Sequence, residues 1–479
     1  MTSFPPGGLR LLAALGALTL SGCTVGPDYR PPVLSVSETW IGPVDPGAVD
    51  ADWWRTFDDP ILSDLVDLAI AGNKDLAEAE ARLREARALR DAVRGRALPQ
   101  ASAAAAATQN RLSENGQLPV GKVPGLGRDL SIFDGGFDAS WEIDLWGRTR
   151  RAIESAEARA DAAEEARRGA VIKVIAEVVR TYIDLRAAQA LGTNAAADAA
   201  AQENIARLVA ERLQAGLASR ADLTRAETLA HATAASVPQF RAEADAAAFR
   251  LALLIGEPPE ALYDRLRAPR PLPSARREVR AGLRSELLRR RPDIRRAERE
   301  LAAATADIGV ATAELFPRFS LLGGIGLQAR GAGDLFSGDS LRFQVGPVLH
   351  WPLFSGGRIR AQIRAADARA DAALARYERT VLAALADSET AINRYAAVRE
   401  VRAERHAASV SAKQALALAG RRYRAGEEDL TALLQTELAQ HAADRANIEA
   451  QAAELQQLAA LYKALGGGWE STTRQSADR

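Results

Sequence analysis

The sequence predicts a duplicated, mostly α-helical chain that contributes four β-strands to a membrane barrel. Three observations lead to this fold class: a stretch that occurs twice, a change of hydrophobic period inside each copy, and very long helical runs after that change. The 23 residues from Trp141 to Ala163 match Trp351 to Ala373 at 12 positions without a gap, at an offset of 210 (351 minus 141). The chain therefore consists of two copies of roughly 210 residues.

Each copy passes from strand to helix within the repeated stretch. In the first copy, apolar residues occupy every second position up to Leu145, and polar residues lie between them; the second copy repeats this up to Leu353. Such alternation predicts a two-faced strand. We predict strands over about 100–110 and 132–145 in the first copy and over about 318–329 and 341–354 in the second.

Helical periodicity begins after the glycines of the repeated stretch. It predicts long helices over 147–214 and 357–424, each on the order of 100 Å at about 1.5 Å per residue. Gly216 and Gly426 follow these helices and suit the left-handed conformation that ends helices. Return helices then run to about 256 and 465. We interpret Asp222-Leu223-Thr224 and Asp429-Leu430-Thr431 as equivalent parts of the two turns.

The remaining segments complete the predicted domain organisation. Residues 1–22 are a signal peptide, 23–52 an extended tether, 53–270 the first repeat, 271–466 the second repeat and 467–479 a tail. The tether is rich in Pro, Gly and Val without a helical period, so we expect it to let the folded body stand off an anchor. Trp53 and Trp54, at the start of the first repeat, are interpreted as packing residues.

The N-terminus has the pattern of an export signal. Arg10 precedes an apolar run from Leu11 to Leu20, which is too short to span a membrane as a helix. The Leu-Ser-Gly-Cys sequence that ends at Cys23 resembles a bacterial lipobox, which implies lipidation of Cys23. By the same resemblance, Thr24 favours the outer membrane. A plain export signal with an incidental cysteine is the alternative interpretation.

Composition excludes several classes of function. Lys+Arg and Asp+Glu are each 62, and no basic patch indicates nucleic acid binding. With one cysteine and four scattered histidines, no catalytic or metal-binding constellation is visible, so we expect no enzyme activity and no cofactor.

Four strands of this length cannot close a barrel in lipid, because the open edges would leave backbone groups without hydrogen bonds. We therefore expect several chains to pool their strands. Apolar odd-numbered residues would face lipid and even-numbered residues a lumen. A soluble hairpin with one wet face is the alternative. The expected lumen residues are Asp134, Asp138, Glu142 and Asp144.

Further motifs resemble one family. They are Trp53-Trp54 with Phe57 and Asp59-Pro60, Arg291-Pro292-Asp293-Ile294 with Ala297-Glu298, Ile308-Gly309 through Phe316-Pro317, and Arg422-Tyr423-Arg424-Ala425-Gly426. Together they resemble the TolC-like outer-membrane efflux proteins, and most of all the NodT-type lipoprotein branch that serves RND multidrug pumps.

The resemblance implies a homotrimer with a 12-stranded barrel in the outer membrane and a coiled-coil helical tunnel across the periplasm. It also implies a periplasmic adaptor (membrane fusion) protein and an inner-membrane RND-type pump as partners, with outer-membrane lipid around the barrel. The turns at Gly216 and Gly426 would be periplasmic tips where the aperture closes.

The gate residues are carried over position by position. Tyr423 matches the family's tip tyrosine, and Asp222 matches an aspartate near the first tip. The positions of the family's narrowing aspartate pair hold Ala432 and Gln435 here, which weakens the case for an acidic ring at that place. Solvated turn residues are an equally weighted alternative for the nearby acidic side chains. The tip and gate candidates are Gly216, Asp222, Tyr423, Arg424, Gly426, Glu427, Glu428 and Asp429.

These features predict a passive, gated conduit for small molecules in the outer membrane. Two alternatives stay open at this stage: an exit duct for type I protein secretion on the same fold, and a periplasmic coiled-coil lipoprotein scaffold. The exported substrate cannot be read from the sequence.

Overall fold

The computed structural model describes residues 24–34, 36–44, 47–113, 127–275 and 279–470. The predicted lipidation site Cys23 and the signal peptide lie outside the described residues. So do residues 114–126 of the loop between the first two strands and residues 471–479 of the predicted tail.

Two very long helices dominate the described part of the chain, and both are continuous as predicted. Among the described residues, no helix is both long enough and apolar enough to cross a membrane. In chain order the helices are α1 (Pro60–Gly72), α2 (Lys74–Gly95), α3 (Arg148–Gln214), α4 (Arg220–Ala234), α5 (Ser236–Ile255), α6 (Glu260–Leu266), α7 (Leu287–Arg290), α8 (Pro292–Ala313), α9 (Arg358–Ala425) and α10 (Leu430–Ala464).

The return helix of the first copy is interrupted, contrary to the prediction of one helix to about residue 256. α4 ends at Ala234 and α5 begins at Ser236. Pro238 has no N–H to donate to the carbonyl four residues earlier, that of Ala234, so the hydrogen-bond ladder is weakened there. In the second copy α10 carries no proline and is continuous.

The strands form one antiparallel sheet in the order β1-β2-β3-β4, with β1 at Gln100–Arg111, β2 at Asp129–Ile143, β3 at Arg318–Ala329 and β4 at Leu341–His350. Even-numbered residues pair with even-numbered residues throughout, as in Ser102 with Asp138, Asp134 with Gln328 and Gly326 with Arg342. All even-numbered side chains of the strands therefore share one face, which we call the even face. The odd-numbered side chains form the opposite, mainly apolar face.

Two strands end earlier than predicted. β2 stops at Ile143, and the carboxylate of Asp144 accepts a hydrogen bond from the backbone N–H of Arg150 at 2.9 Å, which turns the chain into α3. β4 stops at His350, because Pro352 cannot donate a ladder hydrogen bond. Asp144 is thus a junction residue and not a strand residue.

The repeated tryptophans occupy equivalent places beside these strand ends. The indole N–H of Trp141 donates to the carbonyl of Ala97 at 2.9 Å, and that of Trp351 donates to the carbonyl of Leu315 at 3.1 Å. Each tryptophan therefore joins the end of a strand to the segment that follows a shorter helix, α2 or α8.

The chain divides into two compact units that do not coincide with the two repeats. One unit contains the sheet, with Arg84–Ala162, Ala297–Tyr377 and the N-terminal residues to Pro32. The other contains Val33–Leu83, Ala163–Arg296 and Glu378–Arg479. Each unit thus combines matching parts of both copies. The division into repeats over 53–270 and 271–466 stays a prediction.

Aromatic residues fill the core of the second unit. Trp53 is fully buried and stacks on Tyr462 with 5.2 Å between ring centroids. A Cβ at Gly468 would lie 3.1 Å from the indole nitrogen of Trp53, so the described start of the predicted tail packs here. The interpretation of Trp53 and Trp54 as packing residues is confirmed, since Trp54 is only 1% exposed.

The N-terminal segment is extended, but its residues in the sheet unit contact the helices of that unit directly. The guanidinium of Arg151, which is 4% exposed, donates to the carbonyl of Val25 at 3.2 Å and to Asp28 at 2.6 Å. The Tyr29 hydroxyl donates to Glu298 at 2.6 Å. The expectation of a free tether was wrong for these residues, because long-range contacts hold them.

This docking requires a glycine in α8, which gives a test of the N-terminal contact. A Cβ at Gly309 would lie 2.7 Å from Cγ of Arg151 and 2.8 Å from the carbonyl oxygen of Val25, whereas a Cβ at Gly420 in α9 would meet nothing within 4 Å. Gly309→Ala should therefore lower the melting temperature. Gly420→Ala should leave it unchanged or raise it, because alanine favours helix by roughly 1 kcal/mol. Equal shifts in thermal unfolding of the two variants would contradict the docking geometry.

Candidate functional site

The first helical turn ends α3 with a left-handed glycine. Gly216 has φ +72°, its N–H donates to the carbonyl of Leu213 at 3.0 Å, and the next N–H, of Leu217, donates to the carbonyl of Arg212 at 2.8 Å. This pair of hydrogen bonds is the Schellman arrangement, which satisfies the last carbonyls of a helix. A residue other than glycine would be strained at this φ.

The second turn repeats the same geometry 210 residues later (426 minus 216). Gly426 has φ +78°, its N–H donates to the carbonyl of Tyr423 at 3.1 Å, and that of Glu427 donates to the carbonyl of Arg422 at 3.0 Å. The equivalence of the two glycines is therefore visible in the backbone as well as in the sequence.

The helices after the turns begin at Ser219 and Asp429, again 210 residues apart (429 minus 219). The predicted pairing of Asp222 with Asp429 was wrong by three residues. Ser219 is the N-cap of α4, and Asp222 accepts back from the Ser219 backbone N–H at 3.0 Å, completing a capping box. Hydrogen bonds from the Ser219 hydroxyl and backbone lower the pKa of Asp222. Asp429 caps α10 through the N–H of Ala432 at 2.8 Å.

Tyr423 is held between the ends of the two long helices. Its side chain is 4% exposed, and the guanidinium carbon of Arg212 lies 4.5 Å from the ring centroid. A buried cation–π contact of this kind is worth on the order of 1–2 kcal/mol. Sequence analysis identified Tyr423 but missed Arg212, because the partner is more than 200 residues away in the chain.

The other tip candidates have more local contacts. Arg424 donates to the carbonyl of Gly420 at 3.0 Å on its own helix. Glu428 lies 3.0 Å from Arg422, and Glu427 is exposed. The structure thus gives Glu428 and Asp429 ion-pair and capping contacts within the turn.

A groove of about 910 Å³ runs between α4 and α10 just beyond the turns. Leu229, Leu434 and Leu438 form its apolar part, and Arg220 and Arg225 lie at the α4 side. Arg225 reaches across to the Thr431 hydroxyl at 3.5 Å. Gln435, one of the positions where the resembled family has an aspartate, also lines this groove.

A buried titratable cluster lies two turns into α10 and was not predicted. His441 Nε2 lies 3.3 Å from a carboxylate oxygen of Asp198 on α3 and 3.8 Å from one of Glu437. Glu437 is 2% exposed, and burial together with Asp198 raises its pKa to about 7. Burial also raises the pKa of Asp198 and lowers the pKa of His441. The spacing of Glu437 and His441, four residues apart on α10, could have indicated their pairing, whereas Asp198 on α3 gave no sequence signal.

The predicted lumen residues differ in their partners. Asp134 on β2 accepts from Arg342 on β4 at 2.7 and 3.1 Å and from Gln328 on β3 at 2.8 Å. Glu142 accepts from Arg148 at 3.2 Å. Asp144 pairs with Arg150 at the junction. Asp138 is exposed and makes no hydrogen bond or ion pair within the described part of the chain.

Metal binding is not indicated by the described residues, which contain no cluster of three or more His, Cys, Asp or Glu side chains able to hold an ion.

The chain matches known proteins over most of its length. The outer membrane efflux protein family matches residues 65–257 and 283–467. The pyoverdine export outer membrane protein OpmQ of Pseudomonas aeruginosa is 34% identical over 420 residues, covering 88% of each chain. Nodulation protein T of Rhizobium leguminosarum bv. viciae is 32% identical over 472 residues, covering 96% of this chain and 94% of its own. The solved structure of the outer-membrane channel OprN superposes with a TM-score of 0.86 at 40% identity, covering 94% of this chain and all of the other.

The buried Glu437 carboxylate gives a pH-dependent prediction. Its pKa rises from 4.5 to about 7 in the folded protein, so the stability that it contributes is complete below about pH 4.5 and is lost as the pH rises through 7. Glu437→Gln, which stays neutral, should therefore raise the melting temperature relative to the wild type at pH 8, by an amount that corresponds to on the order of 2 kcal/mol.

The gain should shrink at pH 5.5, where the wild-type carboxyl is largely protonated. Glu449→Gln is the matched control, because Glu449 lies exposed on the same helix. A gain that did not depend on pH, or that appeared equally in the control, would refute the assignment.

Proposed function

Because this chain belongs to the outer membrane efflux protein family, we propose that it is the outer-membrane exit channel of an efflux system. The resemblance predicted from the sequence is confirmed, as are the fold class and the outer-membrane location. The channel is passive: its substrates leave the cell when an energised transporter delivers them. The pyoverdine exported by one relative is a small molecule, which favours small-molecule efflux over protein secretion.

The observation that carries this proposal is the amphipathic sheet with two open edges. Its odd-numbered face presents exposed apolar side chains, among them Phe137 at 66%, Ile325 at 54% and Phe343 at 76%. The outward backbone groups of β1 and β4 have no strand partner within the described residues. In lipid such edges must be paired. Three chains would pool twelve strands and remove every edge, which supports the homotrimer.

The even face carries most of the charged side chains of the strands, which supports it as the inner face of that barrel. A Cβ at Gly136 would lie 2.6 Å from the carbonyl oxygen of Ile325, and a Cβ at Gly326 would lie 2.7 Å from that of Gly135. On the opposite face, a Cβ at Gly323 would meet nothing within 4 Å. A Cβ at Gly346 on the even face would also meet nothing within 4 Å, so the crowding by backbone atoms is confined to the directly paired Gly136 and Gly326. Asp134, Asp138 and Glu142 then line the lumen, with Asp144 at its rim.

The two turns are proposed as the periplasmic tips, where the aperture opens and closes. The Arg212–Tyr423 contact joins the ends of α3 and α9, and the Arg422–Glu428 pair fixes the second turn. The groove between α4 and α10 is proposed as the docking place of a periplasmic adaptor, which connects the channel to an inner-membrane RND-type pump. Its leucines and arginines suit an amphipathic helix.

Cys23 is proposed as the lipidated N-terminal residue. Its neighbour Thr24 lies against the strand–helix junction, since a Cβ at Gly147 would lie 2.7 Å from Cγ2 of Thr24. The N–H of Val25 donates to the carbonyl of Trp146 at 3.1 Å. Thr24, which follows the proposed lipidation site, therefore lies at the level where β2 ends, and a membrane boundary belongs at this level in the proposed barrel.

Planar-bilayer recording tests the conduit. Purified trimers should conduct ions, and Tyr423→Ala combined with Glu428→Ala should raise the single-channel conductance several-fold, because both contacts at the second turn are lost. Tyr423→Phe keeps the ring under Arg212 and should conduct like the wild type. If neither the wild type nor the double variant carried current, the proposed function would be wrong.

Replacement of the lipidation site separates anchoring from assembly. Cys23→Ser should abolish labelling by a radioactive or alkyne fatty acid, while trimers still form, because the contacts of residues 24–29 do not involve the lipid. Trimers are identified by heat-dependent mobility on a gel. Loss of trimers in this variant would show that the anchor has a structural role that the docked segment does not replace.

A further inference from the structure

We infer that Asp138 sets a preference for cations inside the barrel, through three copies of one carboxylate that makes no hydrogen bond or ion pair within the described residues. The inference rests on the proposed trimeric channel and adds a specificity-determining residue to it. It follows from the charges of the even face, from the partners of each charge and from the space around Asp138.

Ionisable side chains are few on the even face. β1 contributes none, since its even-numbered residues are Gln, Ser, Ala, Thr and Asn. The ionisable residues of the other strands on this face are Asp134, Asp138, Glu142, Arg318, Arg342 and His350.

Most of these charges are cancelled by a partner close at hand. Asp134 receives two hydrogen bonds from Arg342, so this pair adds no net charge to the lumen. Glu142 lies 3.2 Å from Arg148, and Arg318 forms an ion pair with Glu314. Paired charges at such distances contribute little field a few ångströms away, because opposite potentials nearly cancel.

Asp138 differs, because it interacts only electrostatically with Arg342, which is already hydrogen-bonded to Asp134. Asp134, Asp138 and Arg342 together therefore keep one net negative charge on the even face. No hydrogen bond or ion pair reaches its carboxylate, and its side chain is exposed. Its lateral neighbours are Ser102 on β1 and Gly324 on β3. A Cβ at Gly324 would lie 2.8 Å from Oδ1 of Asp138. The carboxylate therefore occupies space that is available only because residue 324 is a glycine.

Threefold symmetry would place three such carboxylates at one level of the lumen. Rings of acidic side chains make pores prefer cations. At the tips, the positions where the family narrows the tunnel with aspartates hold Ala432 and Gln435 in this chain. Ala432 and Gln435 supply no charge at the tips. We therefore expect the preference for cations to come from Asp138 in the barrel. The preference should be stronger at low salt, because the Debye length is about 30 Å at 0.01 M and about 10 Å at 0.1 M.

Reversal potentials across a KCl gradient test this inference. Wild-type channels should prefer potassium to chloride, and Asp138→Asn should lower the permeability ratio by about two-fold or more, with a larger change at low salt. Asp138→Glu keeps the charge and should keep the preference. The matched control is Glu142→Gln combined with Arg148→Gln, which removes two paired charges without changing the net charge and keeps Arg342 in place. It should leave the ratio near the wild-type value.

The possible results distinguish a failure of the proposed channel function from a failure of the role proposed for Asp138. A wild type that carries no current would overturn the conduit and the inference with it. A conducting Asp138→Asn channel with the wild-type ratio would overturn the inference alone. So would a change in the double control as large as that in Asp138→Asn, since paired charges would then matter as much as the unpaired one. Should Asp138→Asn fail to assemble, Asp138→Ser gives the same comparison.

Discussion

The open edges of the four-stranded sheet are the constraint on which the rest of the proposed assembly depends. β1 and β4 each present a row of backbone donors and acceptors, and the odd-numbered face between them is apolar. In water the edges could form hydrogen bonds, but the apolar face would stay exposed. In lipid the apolar face would be covered, but the edges would have no hydrogen-bond partners. Pairing β4 of one chain with β1 of the next satisfies both. Backbone hydrogen bonding therefore favours a closed ring of chains, and the proposed number of three rests on the family resemblance.

The backbone groups at the ends of the long helices also need hydrogen-bond partners, and the turns and caps supply them. α3 and α9 are stabilised mostly by packing against other helices and not by helix propensity, and both have a weak overall amphipathic pattern. Each ends in a left-handed glycine, and each following helix starts at a capping side chain, Ser219 or Asp429. Backbone groups at the turns are thus satisfied locally, which leaves Tyr423 and the groove residues free to contact other helices.

Much of the fold could be predicted because its patterns are local. Alternation within single strands was sufficient to separate the two faces, and the ladder register confirms that separation across the whole sheet. Glycine positions were sufficient to locate both turns. The offset of the caps was misjudged, because an Asp-Leu-Thr sequence occurs after both glycines at different distances. The break before α5 could have been found from Pro238.

Features that depend on distant contacts were missed. Arg151 holds residues that precede it by more than 120 positions, and Arg212 covers a tyrosine in the other copy. Asp198, Glu437 and His441 are single polar residues on helices whose faces the sequence alone does not orient. For the candidate site, residue types were therefore predictable, whereas the partners of each residue, their burial and the lack of a hydrogen bond at Asp138 required the structure.

Disulfide trapping between β1 and β4 determines whether the open edges of neighbouring chains pair. Ala105→Cys, combined in turn with Phe343→Cys, Val345→Cys or Leu349→Cys, places thiols on the two edges in a background that carries Cys23→Ser. Within one sheet these edges are three strand spacings apart, about 14 Å, which exceeds the reach of a disulfide. If the edges of neighbouring chains pair, at least one combination should give covalent dimers and trimers under oxidising conditions. Monomers alone for every pair, in trimers that still form, would contradict this pairing of edges.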